Sequence, residues 1–325
     1  MKGLCLTAFS VIEPDDKFYR YYPSWLNAWE SHLYNRALKA THAQAWFFKR
    51  FGCSSELYAR EMIRKPAYIR YLEAMEQAAD NALQQLAAKQ RQRLIKSRTA
   101  FIYVDAWGEA GLFENITSAL HVAMIDTLPK NLLKKFAIKH FTCKVRGERQ
   151  AFMQALRMAQ DYLSWDLFDF VVICGAYRAI PLLVFSEAES ASQPGNQERK
   201  ANISVERVGC FIFSQREGLL KVNCGKYLLS SKRMPETRLG EEEADITKVM
   251  VAGLHHDSAY PQSAKTFSRF TPDIIRLDEK YGDSGCISPA LSWVYFEQHA
   301  ASAEKMRTIM PDTFGGYHYF DSEYN

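Results

Sequence analysis

Residues 136–176 constrain the fold more than any other part of the sequence, which reads there FAIKHFTCKVRGERQAFMQALRMAQDYLSWDLFDFVVICGA. Apolar residues recur at helical spacing from about Gly147 to Trp165, in a stripe broad enough to predict a mostly buried helix. The run FVVICG that follows is continuously apolar and β-branched, which is typical of a central strand covered on both faces. A further strand is predicted before the helix, from Lys134 to Cys143.

The turn before this helix is where chemistry is expected. Unpaired backbone N–H groups and the positive end of a helix activate a nucleophile or hold an anion. The turn contains Arg146, Gly147, Glu148, Arg149 and Gln150. None of these is a good nucleophile. The sequence therefore predicts that the strand, helix and second strand of an active site are kept, while the catalytic residues at the turn are replaced.

Composition and motifs argue against several classes of protein. No apolar run approaches the roughly 20 residues that cross a bilayer, and residues 3–12 are interpreted as a first strand rather than a signal peptide, so no membrane association is expected. The seven cysteines are scattered and form no CxxC pair. This usage predicts free thiols in a reducing, cytoplasmic setting, not a disulfide frame.

Signatures of metal, nucleotide and nucleic-acid binding are also missing from the sequence. The adjacent His255 and His256 lack the helical i, i+4 spacing of a zinc pair, and no GxGxxG or GxxxxGK[ST] motif occurs. The net charge of +4 says little by itself. Aromatic and basic residues do not interleave as in nucleic-acid folds, so no metal, bound cofactor, DNA or RNA is expected.

Strand and helix patterns alternate twice along the chain. Such alternation predicts a mostly parallel sheet with helices on its faces, and its recurrence predicts an internally duplicated α/β architecture. The halves are placed at 1–214 and 215–325, with a helical insertion at 13–60. The insertion is rich in aromatic residues. It is interpreted either as helical packing or a lid, or as a contact surface for a partner subunit or an acyl chain.

The order of these patterns resembles the thiolase superfamily, in particular the ketosynthases. The stretch from RQAFMQALRMA to FVVICGAY resembles the family's nucleophile helix and next strand, and ERVGCFIFSQREG resembles the strand after the variable loop. VMVAGLHH resembles the strand ending in a catalytic histidine, and KYGDSGCISPAL with TFGGYHYF resembles the glycine turn and closing hairpin. The resemblance covers most of the chain except about residues 13–60, and implies a five-layered α/β/α/β/α fold.

The resemblance also implies a dimer in which the third strand pairs with its counterpart across a two-fold axis. The interface residues expected from this are Phe136, Ile138, His140, Phe141 and Cys143.

The catalytic positions that the resemblance implies are changed in this chain. Where an active condensing enzyme has its cysteine, the family's spacing gives Arg149, followed by Gln150. A guanidinium stays protonated and cannot be a nucleophile, and glutamine is no better. The second position falls on His255 or His256, and the third, normally His or Asn, is Asp283. An ionised aspartate cannot donate a hydrogen bond, so the site is not a working Claisen site.

Within the superfamily, such a subunit looks like a chain length factor, an inactive ketosynthase copy. The resemblance implies a heterodimer with an active ketosynthase, an acyl carrier protein whose phosphopantetheine arm serves the partner, and an acyl tunnel for which Phe152 and Met153 are candidates. The length of the chain is closer to the ketosynthase III group, where some heterodimers also contain one degenerate subunit. Basic residues around the predicted third strand are either a solvated rim or a docking site for the acidic carrier protein.

Alternatives remain open at this point. The chain could be a divergent acyltransferase, hydrolase or condensing enzyme that uses Cys143, or the His255/Asp283 remnant, and it could be a free-standing acyl-binding protein. Against these readings, Cys143 is interpreted as a buried structural or interface thiol, His255 and His256 as a surface pair, and Asp283 as a helix N-cap.

Overall fold

The secondary structure comes from a computed structural model that describes residues 4–23, 28–51, 65–105, 130–146, 148–190, 200–229, 246–253, 273–299, 305–311 and 316–324. The strands are β1 (Leu4–Ile12), β2 (Tyr19–Arg20), β3 (Trp46–Lys49), β4 (Thr99–Asp105), β5 (Phe141–Arg146), β6 (Phe170–Tyr177), β7 (Asn202–Val205), β8 (Arg207–Ser214), β9 (Leu220–Cys224), β10 (Leu228–Leu229), β11 (Ile246–Val251), β12 (Asp273–Arg276), β13 (Lys305–Pro311) and β14 (Gly316–Tyr324). The helices are α1 (Ala28–Ala40), α2 (Lys65–Gln85), α3 (Ala88–Lys96), α4 (Lys130–Lys135), α5 (Ala151–Ser164), α6 (Pro181–Ser190), α7 (Leu277–Tyr281) and α8 (Leu291–His299), and short 3-10 turns span Glu148–Gln150 and Gly285–Ala290. Among these described helices, none has both the length and the apolar character needed to cross a membrane.

One large mixed sheet runs through the described part of the chain. Four of its described strand pairs are parallel and six are antiparallel, so the prediction of a mostly parallel sheet was wrong. The strand order of this sheet is β12-β11-β13-β14-β9-β1-β8-β6-β4-β5, and β10 pairs with β14. Without β10, the first half contributes β1, β4, β5, β6 and β8 to this sheet, and the second half contributes β9, β11, β12, β13 and β14. Outwards from the central pair β1 and β9, both halves follow the same order: first, fifth, fourth, second and third strand. The parallel and antiparallel senses of the pairs also match between the halves. This repetition confirms the predicted duplicated α/β architecture, while the limits 1–214 and 215–325 stay a prediction.

The buried helix predicted from the sequence is α5. It packs against β4, β5 and β6 of the first half and also against β9 of the second. Its apolar face is buried from Ala151 to Leu163, and every residue of β6 is buried, as the continuous apolar run indicated. The helix proper begins at Ala151 rather than near Gly147, because residues 148–150 form a 3-10 turn. That turn places Arg149 at the junction between strand and helix.

A second core lies on the other face of the sheet, beneath α2. Tyr71, Met75 and Leu86 pack there with Phe101 and Tyr103 of β4. α2 and α3 are separate helices, because Ala87 between them takes an extended conformation with φ −61° and ψ 153°. Helices therefore cover both faces of the first half.

The insertion predicted as helical at 13–60 contains two strands as well as α1. β2 and β3 form a small sheet with β7, so the prediction was wrong in its purely helical character. Its rings at Tyr21, Tyr34, Trp46 and Phe48 are buried and contact the ring of Phe185 on α6. These four aromatic residues therefore serve internal packing. The role of the insertion as a partner surface stays a prediction. Its exposed aromatic residues in the described ranges include Phe18, Tyr22 and Trp29.

The strand predicted from Lys134 to Cys143 was placed too early in the chain. α4 ends at Lys135, and its closing turn forms when Ile138 N donates to Leu133 O at 2.9 Å. Phe136 is fully buried in the core under α2, and Ile138 packs against that core. Neither residue belongs to a strand, and their role at an interface stays a prediction. His140 is exposed just before the strand, and Phe141 and Cys143 lie in β5, the last strand of the described sheet.

Candidate functional site

Arg149 and Asp283, two of the predicted catalytic positions, are joined by an ion pair. Arg149 Nη1 donates to Asp283 Oδ1 at 2.7 Å, and Nη2 donates to Oδ2 at 2.8 Å. Arg149 Nε lies 2.6 Å from Glu187 Oε1. The side chain of Asp283 is 0% exposed and that of Arg149 is 15% exposed. Two parallel charge-assisted hydrogen bonds in a buried setting make this one of the stronger types of protein ion pair.

The backbone around Asp283 holds its carboxylate towards Arg149. Asp283 N donates to Ile203 O at 2.8 Å, and Val205 N donates to Asp283 O at 2.8 Å, so Asp283 continues the small sheet beside β7. Gly282 has φ +76°, and a Cβ there would lie 2.8 Å from Val205 Cγ2. A side chain at this position would therefore be strained and would collide with β7.

The carboxylate of Asp283 also accepts two longer hydrogen bonds. Oδ1 lies 3.3 Å from Gly285 N and 3.3 Å from Ser288 Oγ, at the start of the second 3-10 turn. The N-cap of that turn is Ser284, so the interpretation of Asp283 as a helix N-cap was wrong. The shorter bonds of Asp283 go to Arg149. With these partners, Asp283 is an acceptor for four donors from the protein itself.

The charges around Arg149 keep both Arg149 and the nearby Tyr177 protonated. Burial opposes the charge of Arg149, but the carboxylates of Asp283 and Glu187 outweigh burial and raise the pKa of Arg149 well above its usual value. Burial, reinforced by the same two carboxylates, also raises the pKa of the Tyr177 phenol. At neutral pH the cluster therefore holds a permanent cation and a neutral phenol, and neither is a base or a nucleophile.

A second buried arginine ties the Asp283 loop to the first strand. Arg207 is 4% exposed, and its Nη2 donates to Glu13 Oε2 at 2.7 Å and to Tyr281 O at 2.7 Å, while Nη1 donates to Ser284 Oγ. Burial lowers the pKa of Arg207, although the charge of Glu13 partly offsets it. Glu13 also binds Lys49 Nζ at 2.7 Å. These contacts connect β1, β3 and β8 to the loop that carries Asp283.

Gln150 and the two tunnel candidates face protein atoms. Gln150 Nε2 donates to Pro311 O at 2.8 Å, which ties the start of α5 to β13 in the second half. Phe152 is fully buried, with its ring centroid 5.0 Å from that of Phe211 and 5.8 Å from that of Trp293. Met153 is 5% exposed. The side chain of Phe152 therefore belongs to a filled aromatic core, and the tunnel role of both residues stays a prediction.

Cys143 lies on β5 with its side chain partly buried against the core that surrounds α5. Burial raises the pKa of its thiol to about 11. The thiol is therefore almost entirely protonated at neutral pH, which does not suit a nucleophile. All six cysteines in the described ranges are free thiols, in agreement with the sequence.

His255 and His256 lie outside the described residues, so the second catalytic position stays a prediction. Within the described ranges, no three His, Cys, Asp or Glu side chains are grouped so that they could hold a metal ion.

Sequence reasoning missed Glu187 and Tyr177. Glu187 lies on α6, which continues to Ser190, and its carboxylate contacts Arg149 Nε. No local motif marks either residue, because both reach the site only through tertiary packing. Conversely, the basic cluster predicted around the third strand is not uniformly solvated, since Lys135 pairs with Asp80 and Arg149 is bound inside the site.

Comparison with known proteins identifies the fold. No protein-family model and no curated protein sequence matches the chain. Among solved structures, it matches AntDE:AntF (apo), a type II PKS acyl-carrier protein in complex with its ketosynthase bound to the hexaketide. The TM-score is 0.63 and the identity 13%, over 100% of this chain and 99% of that chain. The chain has a thiolase-like fold.

OleA of Xanthomonas campestris shares this thiolase-like fold. A single-residue variant of OleA matches with a TM-score of 0.57 and 8% identity, over 99% of this chain and 98% of that chain. The cerulenin-bound co-crystal form of OleA matches with a TM-score of 0.57 and 10% identity, over 99% and 97%. These matches cover 97–99% of the neighbouring chains, so the likeness in fold is not confined to one half.

Proposed function

We propose that this chain is a non-catalytic, ketosynthase-like subunit of the chain length factor type. It forms a heterodimer with an active ketosynthase and shapes the tunnel for the acyl chain in polyketide or fatty-acid-like biosynthesis. The observation that carries the proposal is the Arg149–Asp283 ion pair. The two positions where the resemblance places the nucleophile and the third catalytic residue are bound to each other.

This ion pair lacks the groups that a Claisen condensation needs. The reaction requires a thiolate that carries the acyl chain as a thioester, and hydrogen-bond donors aimed at the oxygen where negative charge develops. Arg149 directs Nη1 and Nη2 to Asp283 and Nε to Glu187, and Asp283 when ionised has no donor. Cys143 is no substitute, because its pKa of about 11 disfavours the thiolate.

Two further features support a role beside an active subunit. β5 ends the described sheet, and such an edge presents N–H and C=O groups for pairing with another strand. The AntDE:AntF neighbour is a ketosynthase in complex with its acyl-carrier protein. We infer that an acyl carrier protein also serves this heterodimer, and that its phosphopantetheine arm delivers substrate to the active site of the partner.

The proposal is tested by co-expressing the full chain with a ketosynthase from the same organism, chosen from the genes that neighbour its own. Size-exclusion chromatography and native mass spectrometry are expected to show a stable one-to-one heterodimer. A ketosynthase from an unrelated pathway is the matched control and is expected to elute separately. A chain that stays a monomer or homodimer beside its neighbouring ketosynthase contradicts the proposal.

A further inference from the structure

We propose that the basic face of β5 selects a partner with an acidic edge strand and disfavours a second copy of this chain. The inference rests on the proposed function, because that function supplies the partner. Its evidence is independent of the catalytic positions and consists of the alternation of side chains and charges along β5.

The side chains of β5 alternate between the two cores. Phe141, Cys143 and Val145 pack against the core that surrounds α5. Lys144 points to the other face, where its Nζ lies 5.6 Å from the ring centroid of Tyr103. Because side chains alternate along a strand, Thr142 and Arg146 share the face of Lys144. Over 139–146 the sequence supplies Lys139, His140, Lys144 and Arg146 but no acidic residue.

The symmetry of a homodimer restricts which residues of β5 meet. Two copies of an edge strand that pair antiparallel are related by a two-fold axis normal to the sheet. That rotation keeps each face of the sheet on the same side. Residues directly opposite each other are therefore both even-numbered or both odd-numbered, whatever the register.

On the even-numbered face, every such register opposes basic residues to one another or to threonine. One register places Lys144 against Lys144. The next places Lys144 against Thr142, with the two Lys144 side chains as diagonal neighbours. Like charges directly opposite each other destabilise a strand pair, and diagonal neighbours lie only about 7–8 Å apart. No symmetric register brings a carboxylate of the second copy's β5 opposite Lys144.

Acidic groups near this face come from elements of the same chain. Backbone register places Tyr103 of β4 beside Lys144. On α2, Asp80 pairs with Lys135, and Glu76 accepts a hydrogen bond from Asn131. β4 lies on the inner side of β5, so both copies of a homodimer would bring the same basic strand to the shared edge. A thiolase-like partner with carboxylates at the opposing positions would instead complement it.

The test uses the full chain and a charge-reversed variant of the same chain, T142E/K144E, as a defined acidic partner. Sedimentation equilibrium is measured on wild type alone, on the variant alone and on their equimolar mixture, with one protein fluorescently labelled. The mixed dimer is expected to be roughly tenfold tighter than either self-association, because charge complementarity selects partners. The advantage is expected to vanish in 1 M salt, where the Debye length is about 3 Å.

The neutral variant T142Q/K144Q is the matched control, because it keeps side-chain size without the charge reversal. It is expected to mix with wild type without the salt-sensitive gain. Circular dichroism melting of each variant verifies the fold. The inference is overturned if wild type associates with itself as tightly as with T142E/K144E, or if the mixed dimer is no tighter than the one with T142Q/K144Q. Failure here with an intact ketosynthase heterodimer would leave the proposed function standing.

Discussion

Arg149 binds Asp283 through two hydrogen bonds of 2.7 and 2.8 Å, across 134 residues of sequence. The contact joins the turn that begins α5 to the loop that precedes α8, which belong to opposite halves of the duplicated fold. The same two positions would carry nucleophile and third catalytic residue in an active relative. The ion pair thus joins the two positions at which the resemblance to the ketosynthases places those residues.

Replacing Arg149 alone should lower the free energy of unfolding more than replacing Arg149 and Asp283 together by apolar residues. Arg149→Met leaves the fully buried carboxylate of Asp283 without its cation. We expect a loss of about 3–5 kcal/mol in the free energy of unfolding, because an uncompensated buried charge remains. The double variant R149M/D283L should cost less than the sum of its single variants. Urea unfolding of all four proteins measures the coupling, and strictly additive losses below about 1 kcal/mol would show that the pair contributes no specific interaction.

Phe152 is expected to contribute to the stability of the fold, whether or not it also lines a tunnel. Its ring is fully buried between Phe211 and Trp293, so Phe152→Ala opens a cavity in a packed aromatic cluster. We expect a loss of about 3–5 kcal/mol in the free energy of unfolding, measured by denaturant titration. Leu167→Ala is the control, since Leu167 is 47% exposed and should change stability little. A Phe152→Ala protein as stable as wild type would indicate a pre-existing cavity at this position.

Glu13 should make stability depend on pH on the acidic side. Burial opposes its ionisation, but hydrogen bonds and charges from Lys49 and Arg207 outweigh burial and lower the pKa of Glu13. A lowered pKa in the folded state contributes stability above the unfolded-state value of about 4.3, and this contribution is lost as pH falls through the folded value.

Glu13→Gln should therefore lower the melting temperature most at pH 7, and the gap to wild type should close as pH falls below about 4. Glu279→Gln serves as the control, because Glu279 is 58% exposed in its pair with Arg276 and should show a small difference at every pH. A gap between Glu13→Gln and wild type that is unchanged from pH 7 to pH 3 would contradict the assignment.

The sequence predicted those parts of the fold whose signal is local. The continuous apolar run of β6 and the broad apolar stripe of α5 are buried because the side chains of these elements are themselves apolar. The position of β5 was missed because Phe136 and Ile138 are as apolar as strand residues. Their burial arises instead from the turn that ends α4 beneath α2.

The site could be predicted only in part for the same reason. Arg149 and Asp283 were found because a resemblance to the ketosynthases assigned their positions. Their mutual hydrogen bonds, and the contribution of Glu187, depend on packing between elements far apart in sequence. Nothing in the local sequence around Glu187 distinguishes it from a surface residue of a polar loop.

Intact-mass spectrometry tests the central claim most directly. The purified heterodimer of this chain and its ketosynthase is incubated with octanoyl-loaded acyl carrier protein, and each subunit is weighed. We predict that the ketosynthase gains one octanoyl group and that this chain keeps its unmodified mass. The chain alone, incubated with octanoyl-CoA, should likewise stay unmodified. A stoichiometric octanoyl adduct on this chain would contradict the account, and its position would show which residue acts as nucleophile.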